Sequence, residues 1–378
     1  MAPEKAPHVE KTKPSDKPGT KRKLEGPRIR CGFIGVGGRG THLLGKVAKL
    51  RQVDVVAVCD LDKGCCERAA GVVEKAHGKR KGFKKPDLFN AGKDDYKNLL
   101  KRDDIDCVVS ATPCFEHARI YLDCLATGKH TYGEKPMCIS LKECNDLVAS
   151  EAKSPAILQI GFQRRCNPRY IDAVKLVRAG ELGEPVDARS AWSNAWGPLL
   201  GWFGRRKESG GWMLEQACHS WDVFNWATGG IAQWAYGWGR KDLYRDRQAD
   251  RDVHDYYVAT IGWHGGMVLQ FLHSWIAAPE AGCSGVYEKI CGLKAGVDFG
   301  SATFSYREKK DGKNVTKKVG KSVDDTLEAL KTFFDCAKAG QQPPSGVHNG
   351  RDASLVGLLV QKAVDERRVV TMAEVVKG

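Results

Sequence analysis

No stretch of this chain holds roughly 18 consecutive apolar residues, so no segment of it reads as a membrane-spanning helix. Its N-terminal segment lacks the apolar core of a secretory leader, which makes cytoplasmic the expected location. Paired C-x-x-C ligand spacings are missing despite fourteen cysteines, so no metal site is expected. Several of those cysteines, Cys31, Cys59 and Cys107 among them, lie inside apolar strand-like runs. Buried, reduced thiols follow rather than a disulfide framework, and the vicinal Cys65-Cys66 reads as incidental. No zinc-finger, RNA-binding or basic-zipper pattern accompanies the basic residues. Tryptophan is absent from the first 191 residues, and all ten lie between Trp192 and Trp275.

What is present is an ordinary globular composition: 378 residues, 42% hydrophobic, enough for two domains with their own cores. The net charge of +14 is concentrated in three blocks. Residues 1–30 carry +5, 75–102 carry +7 and 309–321 carry +5, leaving the remainder near −3. The first block is rich in Pro and Lys and nearly free of large apolar side chains, and residues 1–28 read as a disordered basic arm. The second reads as an exposed loop between helical stretches, the third as a hairpin turning at Asp311-Gly312. Nucleic acid is therefore not an expected partner.

From Ile29 to Ile34 an apolar strand leads into Gly35-Val36-Gly37-Gly38-Arg39-Gly40 and then a helical pattern. This is the strand, G-x-G-x-x-G, helix arrangement that lets a backbone approach a pyrophosphate at a helix N-terminus. A second buried strand, Val53–Cys59, ends at Asp60, twenty residues past Gly40, where a carboxylate can hold both adenine-ribose hydroxyls. That carboxylate repels a 2′-phosphate, and Leu61 rather than Arg follows it, so NAD is favoured over NADP. Helical stretches near 64–77, 94–101, 115–127 and 140–152 alternate with strands at 105–111 and 129–132, giving a doubly wound parallel sheet. Thr112-Pro113 and Gly133-Glu134-Lys135-Pro136 fall at strand ends beside the expected cofactor.

These residues resemble the Gfo/Idh/MocA oxidoreductases, the glucose–fructose oxidoreductase and inositol dehydrogenase family. The resemblance is carried by the glycine loop, Thr112-Pro113 with His117, Glu134-Lys135-Pro136, Gly161-Phe162-Gln163-Arg164-Arg165, and Gly210-Gly211 leading to His219 and Asp222. It implies a Rossmann domain followed by an α+β domain with an open, largely antiparallel sheet. It also implies a nicotinamide cofactor between them, with Thr112, Pro113, His117 and Glu134 at its site, and homodimers or homotetramers assembled through that sheet. Lys135 is implied to touch nicotinamide ribose and substrate hydroxyl, with Pro136 often cis. The family's second-domain pair is Asp, three residues, then His, whereas this chain has Glu215 and His219. The expected division is the arm at 1–28, a dinucleotide-binding domain at 29–153, and a substrate and oligomerisation domain at 154–378.

Met213 to Ala227 reads as one helix with Glu215, His219, Asp222 and Trp226 on a single face. Removing a hydride from a carbinol leaves a hydroxyl proton, and histidine titrates where it can take one. His219 is the expected base and Lys135 its electrostatic partner, although the roles could be exchanged. Like charge from an oxidised nicotinamide is expected to lower the Lys135 pKa, and Glu215 to fix the imidazole tautomer. Asp222 has two readings, a ligand for a sugar hydroxyl or a group that caps and orients the helix. Arg164, Arg165 and Asn167 follow a strand end and are candidates for the cleft, with Arg165 equally read as a surface residue. Trp192, Trp196, Trp202 and Trp212 suit the apolar faces of sugar rings, while Trp234, Trp238, Trp263 and Trp275 read as sheet or interface packing. The expected function is hydride transfer between a nicotinamide cofactor and a secondary hydroxyl of a small-molecule sugar, polyol or glycoside. An NAD-dependent glycosidase of the same fold and a non-catalytic dinucleotide sensor are the alternatives.

Overall fold

The computed structural model describes residues 20–263 and 265–377. The first sheet has six parallel strands: β1 (Ile29–Ile34), β2 (Val53–Cys59), β3 (Asp87–Phe89), β4 (Cys107–Ser110), β5 (His130–Gly133) and β6 (Leu158–Ile160). Their order is β3-β2-β1-β4-β5-β6. Helices cover both faces, which is why β1, β2 and β4 are nearly continuous apolar runs instead of alternating ones. Helix Lys63–His77 starts where Asp62 Oδ1 accepts from the backbone N–H groups of Gly64 and Cys65.

Three expectations are corrected here. The sheet runs past residue 153, because β6 pairs with β5 through Thr131 and Leu158. Helix Asp325–Ala339, assigned by sequence to the second domain, buries Leu330, Phe333 and Phe334 in the same core as Ile29, Cys31 and Phe33. Residues 20–28 are also not a free arm. The Lys21 ammonium is buried and donates to the carbonyls of Glu151 (2.8 Å) and Ser154 (3.0 Å), beside the Glu151 carboxylate at 2.7 Å. A lysine that completes the open carbonyls at the end of helix Leu141–Lys153 has a reason to be ordered. Residues 1–19, the rest of the expected arm, lie outside the described residues.

The second sheet has nine strands: β7 (Pro185–Ser193), β8 (Ala232–Arg240), β9 (Tyr256–Trp263), β10 (Val268–Ser274), β11 (Gly285–Gly292), β12 (Ala295–Asp298), β13 (Thr303–Lys310), β14 (Lys313–Lys318) and β15 (Val370–Thr371). Their order is β14-β13-β12-β11-β7-β10-β9-β8-β15, antiparallel throughout except for β7 beside β10. One face packs on helices Cys218–Thr228 and Val347–Glu366, and the other leaves Tyr236, Trp238, Val258 and Tyr287 exposed. The basic hairpin is as expected: Lys310 pairs with Lys313, and Asp311 and Gly312 both take positive φ. Of the fourteen cysteines, eleven are buried and none is disulfide-bonded. Among the described residues no helix is long and apolar enough to cross a membrane.

The expected single helix at 213–227 is broken. Trp212–Glu215 ends, and Cys218–Thr228 begins after Gln216 and Ala217. Ala217 N–H donates back to the Trp212 carbonyl, and His219 N–H donates to Gln216 rather than to Glu215. The widened turn therefore releases the Glu215 carbonyl from the helical ladder.

Candidate active site

A cavity of about 670 Å³ lies between the two domains, bounded on one side by the glycine loop and on the other by the Glu215–His219 segment. Gly35 has φ +79°, and a Cβ there would lie 2.7 Å from the Ala111 carbonyl oxygen. A Cβ on Gly40 would lie 1.9 Å from the Gly35 carbonyl oxygen, so helix Gly38–Val47 can sit this close only without one. Gly37 and Gly38 serve differently: a Cβ on either would meet no atom within 4 Å, only open space at the cavity. No side chain caps this helix, and no acidic residue occupies its first turn. Its leading N–H groups thus form an anion cradle of the kind a pyrophosphate fills. Val36 contributes otherwise than expected, with its side chain in the core and its N–H donating to Asp60 Oδ2 at 2.7 Å.

Asp60 lines the cavity at the end of β2, followed by Leu61, which is 71% exposed. At the ends of β4 and β5, Thr112, Pro113, His117, Glu134 and Lys135 line it as well. His117 spans the two strand ends, with Nδ1 2.7 Å from the Pro136 carbonyl oxygen and Nε2 2.8 Å from that of Thr112. The Arg39 guanidinium donates to buried Glu134 at 2.7 Å, fastening the glycine loop to the Glu134-Lys135-Pro136 segment. The Lys135–Pro136 peptide bond is cis. These residues fit a dinucleotide: a backbone cradle, a carboxylate at the ribose distance in sequence, and a cation at the far end.

At that far end the Lys135 ammonium donates to Glu215 twice, to Oε1 at 2.6 Å and to the released main-chain carbonyl at 2.5 Å. Burial alone would lower its pKa, but the Glu215 carboxylate, acting together with Cys218, Cys114 and Glu134, holds it above the ordinary lysine value. The expected lowering is assigned to an oxidised nicotinamide; the chain's own groups act in the opposite direction. Glu215 also does not orient the imidazole, because its carboxylate is committed to Lys135. His219 is held by stacking instead, 5.7 Å from the Trp192 ring at 15° and edge-on to Phe162. Its Nδ1 has no hydrogen-bond partner among the described residues. Burial, then the positive charges of Arg164, Lys135 and Arg39, push its pKa well below the usual histidine value, so the ring is neutral.

Three residues expected to touch substrate do not line the cavity. Arg164 is turned into the domain, 2.7 Å from Glu288, with its guanidinium over the rings of Trp192 and Tyr170. Asp222 is buried and accepts from Arg165 Nε through both oxygens (2.9 and 2.8 Å), which accounts for it as neither sugar ligand nor helix cap. Trp196 is 65% exposed and packs edge-on against Trp275. Of the tryptophans expected at the ligand, Trp192 and Trp202 reach the cavity, while Trp212 is wholly buried. Sequence reading missed Cys114, Leu199, Phe203 and Gln216, all of which line it. Gln216, next to Glu215 in the motif, was the one within reach of that reading.

Residues 29–162 match the family described as an oxidoreductase family with an NAD-binding Rossmann fold, and residues 170–295 match the GFO/IDH/MocA C-terminal domain. Among curated relatives, glycosyl hydrolase family 109 protein 1 of Akkermansia muciniphila is 29% identical over 165 residues, 44% of this chain and 33% of that protein. The match spans about a third of that relative's length. Among solved structures, levoglucosan dehydrogenase in complex with NADH and levoglucosan superposes with a TM-score of 0.77 at 16% identity, covering 91% of this chain and 99% of that one. The myo-inositol 2-dehydrogenase of Lactobacillus plantarum gives 0.72 at 21% identity, with the same coverage. At such identities the likeness is one of fold.

Proposed function

Because the chain belongs to the GFO/IDH/MocA oxidoreductase family, we propose that it is an NAD-dependent dehydrogenase of a secondary hydroxyl on a sugar, polyol or glycoside. The observation that carries the reading is that Lys135 and His219 line one cavity with an anion-cradling glycine loop. A bound nicotinamide supplies the hydride acceptor or donor. The chain's own residues do the rest. Gly37 and Gly38 leave room for phosphates, Asp60 takes ribose hydroxyls, and the Lys135 ammonium, kept charged by Glu215, polarises the substrate oxygen. His219, neutral because it is buried, accepts the hydroxyl proton. The three cations around it disfavour the imidazolium, so the proton leaves the ring for solvent in the cavity that His219 lines. The aromatic wall of Trp192, Trp202 and Phe203 supports a carbohydrate, whose rings present apolar faces to such side chains. The exposed aromatic face of the nine-stranded sheet supports assembly into dimers or tetramers.

The curated glycosyl hydrolase relatives favour a second reading, an NAD-dependent glycosidase of the same fold. A screen of sugars, polyols and glycosides at fixed NAD, followed by NADH absorbance and aglycone release, separates the two. Net NADH from a free sugar or polyol supports dehydrogenation, and aglycone without net NADH supports the glycosidase. Lys135→Ala and His219→Ala are each expected to lower turnover about a hundredfold or more with NADH binding retained. Near-normal turnover in both overturns the assignment.

A further inference from the structure

Gln216 occupies the break between helices Trp212–Glu215 and Cys218–Thr228 and lines the cavity beside Glu215 and His219. The two ends of its amide are in different situations. Oε1 is 2.8 Å from His273 Nε2 and 3.4 Å from Asn194 Nδ2, which donates to it. His273, on β10, is wholly buried between two parallel rings, 5.9 Å from Trp212 at 10° and 5.2 Å from Tyr257 at 6°. Burial pushes its pKa down to about 3, so the ring is neutral and carries a single N–H. Its Nδ1 has no partner among the described residues, so the proton is best used at Nε2, donating to Gln216. Reversing the amide would set the Asn194 N–H against another N–H. The Gln216 amide nitrogen, by contrast, donates to no described residue and is not sealed from solvent.

We infer that Gln216 determines substrate specificity, presenting its amide nitrogen as a fixed donor to a hydroxyl or carbonyl oxygen next to the carbinol being oxidised. His273 and Asn194 are positioning residues that hold the amide oxygen and so prevent the side chain from offering an acceptor instead. A site built to donate to an oxygen discriminates strongly against a ligand lacking it, because the donor is then left buried and unpaired. The ligand class rests on the dehydrogenase reading above; the orientation of the amide does not.

Two measurements on the full chain loaded with NADH separate these parts. The first is nitrogen-15 NMR of the histidine rings. His273 is expected to remain protonated at Nε2 without titrating between pH 8 and 5, and its signals to shift in Gln216→Leu. Titration near the ordinary histidine value, or no response to Gln216→Leu, overturns the orientation. The second is steady-state kinetics with glucose, myo-inositol and levoglucosan. Gln216→Leu and Gln216→Glu are expected to raise KM about tenfold or more, with kcat changed far less, unchanged NADH affinity and partial recovery in Gln216→Asn. An unchanged KM in both overturns the recognition role. If the wild-type protein turns over none of the three, the carbohydrate assignment of this donor is overturned, and the NMR result alone decides whether the donor is presented.

Discussion

The Lys135 ammonium is held by Glu215 through two different oxygens, the carboxylate at 2.6 Å and the backbone carbonyl at 2.5 Å. The first contact sets the charge on the lysine and the second its position. The second exists only because the helix breaks immediately after Glu215.

Glu215→Gln removes the largest of the negative charges that oppose burial, so the Lys135 pKa is expected to fall. The basic limb of the kcat/KM profile then moves to lower pH, and kcat/KM at neutral pH drops about tenfold or more. Glu215→Asp keeps both charge and carbonyl and should retain more activity than the Gln variant. A Gln variant with the wild-type profile would show that the pair has no part in setting the lysine's charge.

Asp60 stands at the cavity with exposed Leu61 behind it and no arginine in the next position. NAD is expected to bind more tightly than NADP, and Asp60→Ala to narrow the difference by weakening NAD and relieving repulsion of the 2′-phosphate. Fluorescence titration with NADH and NADPH measures both affinities. An unchanged preference argues against a ribose role for Asp60.

Lys21 and Glu151 form a pair with side chains only 3% and 8% exposed. Lys21→Ala leaves the Glu151 carboxylate and two helix-end carbonyls without their cation, at an expected cost of about 3 kcal/mol. Denaturant unfolding gives the value. A loss below about 0.5 kcal/mol, the level of an exposed pair, would mean that this segment contributes nothing to the core.

Burial lowers the pKa of His130 and His254 to about 4 and that of His273 to about 3. Each folded value lies below the unfolded one, near 6.5. The unfolded chain therefore binds more protons on acidification. Stability from these rings is complete above about pH 6.5 and is lost as pH falls toward 4 and then 3, at up to about 1.4 kcal/mol per pH unit for each. Melting temperature should decline steadily from pH 7 to pH 5, and His273→Phe should flatten the decline. A flat wild-type curve over that range contradicts the buried neutral state.

The sequence by itself determined the dinucleotide half. Glycine spacing, buried strand runs and the carboxylate after β2 are local features, fixed within about thirty residues of one another, and local sequence dictates local backbone. It also singled out Lys135, Glu215 and His219 through a motif of residue types and order, and the fold brings all three to one cavity. What those side chains touch was decided only in the tertiary structure. The helical spacing that put Glu215, His219 and Asp222 on one face assumed an unbroken helix. Tertiary packing instead spent Glu215 on Lys135 across the domains, and Asp222 on Arg165 and Arg164 on Glu288 within the second one. A buried charge must be neutralised by whichever opposite charge the fold brings within reach, and that partner can lie 57, 80 or 124 residues away along the chain. No periodicity in the sequence records such a choice.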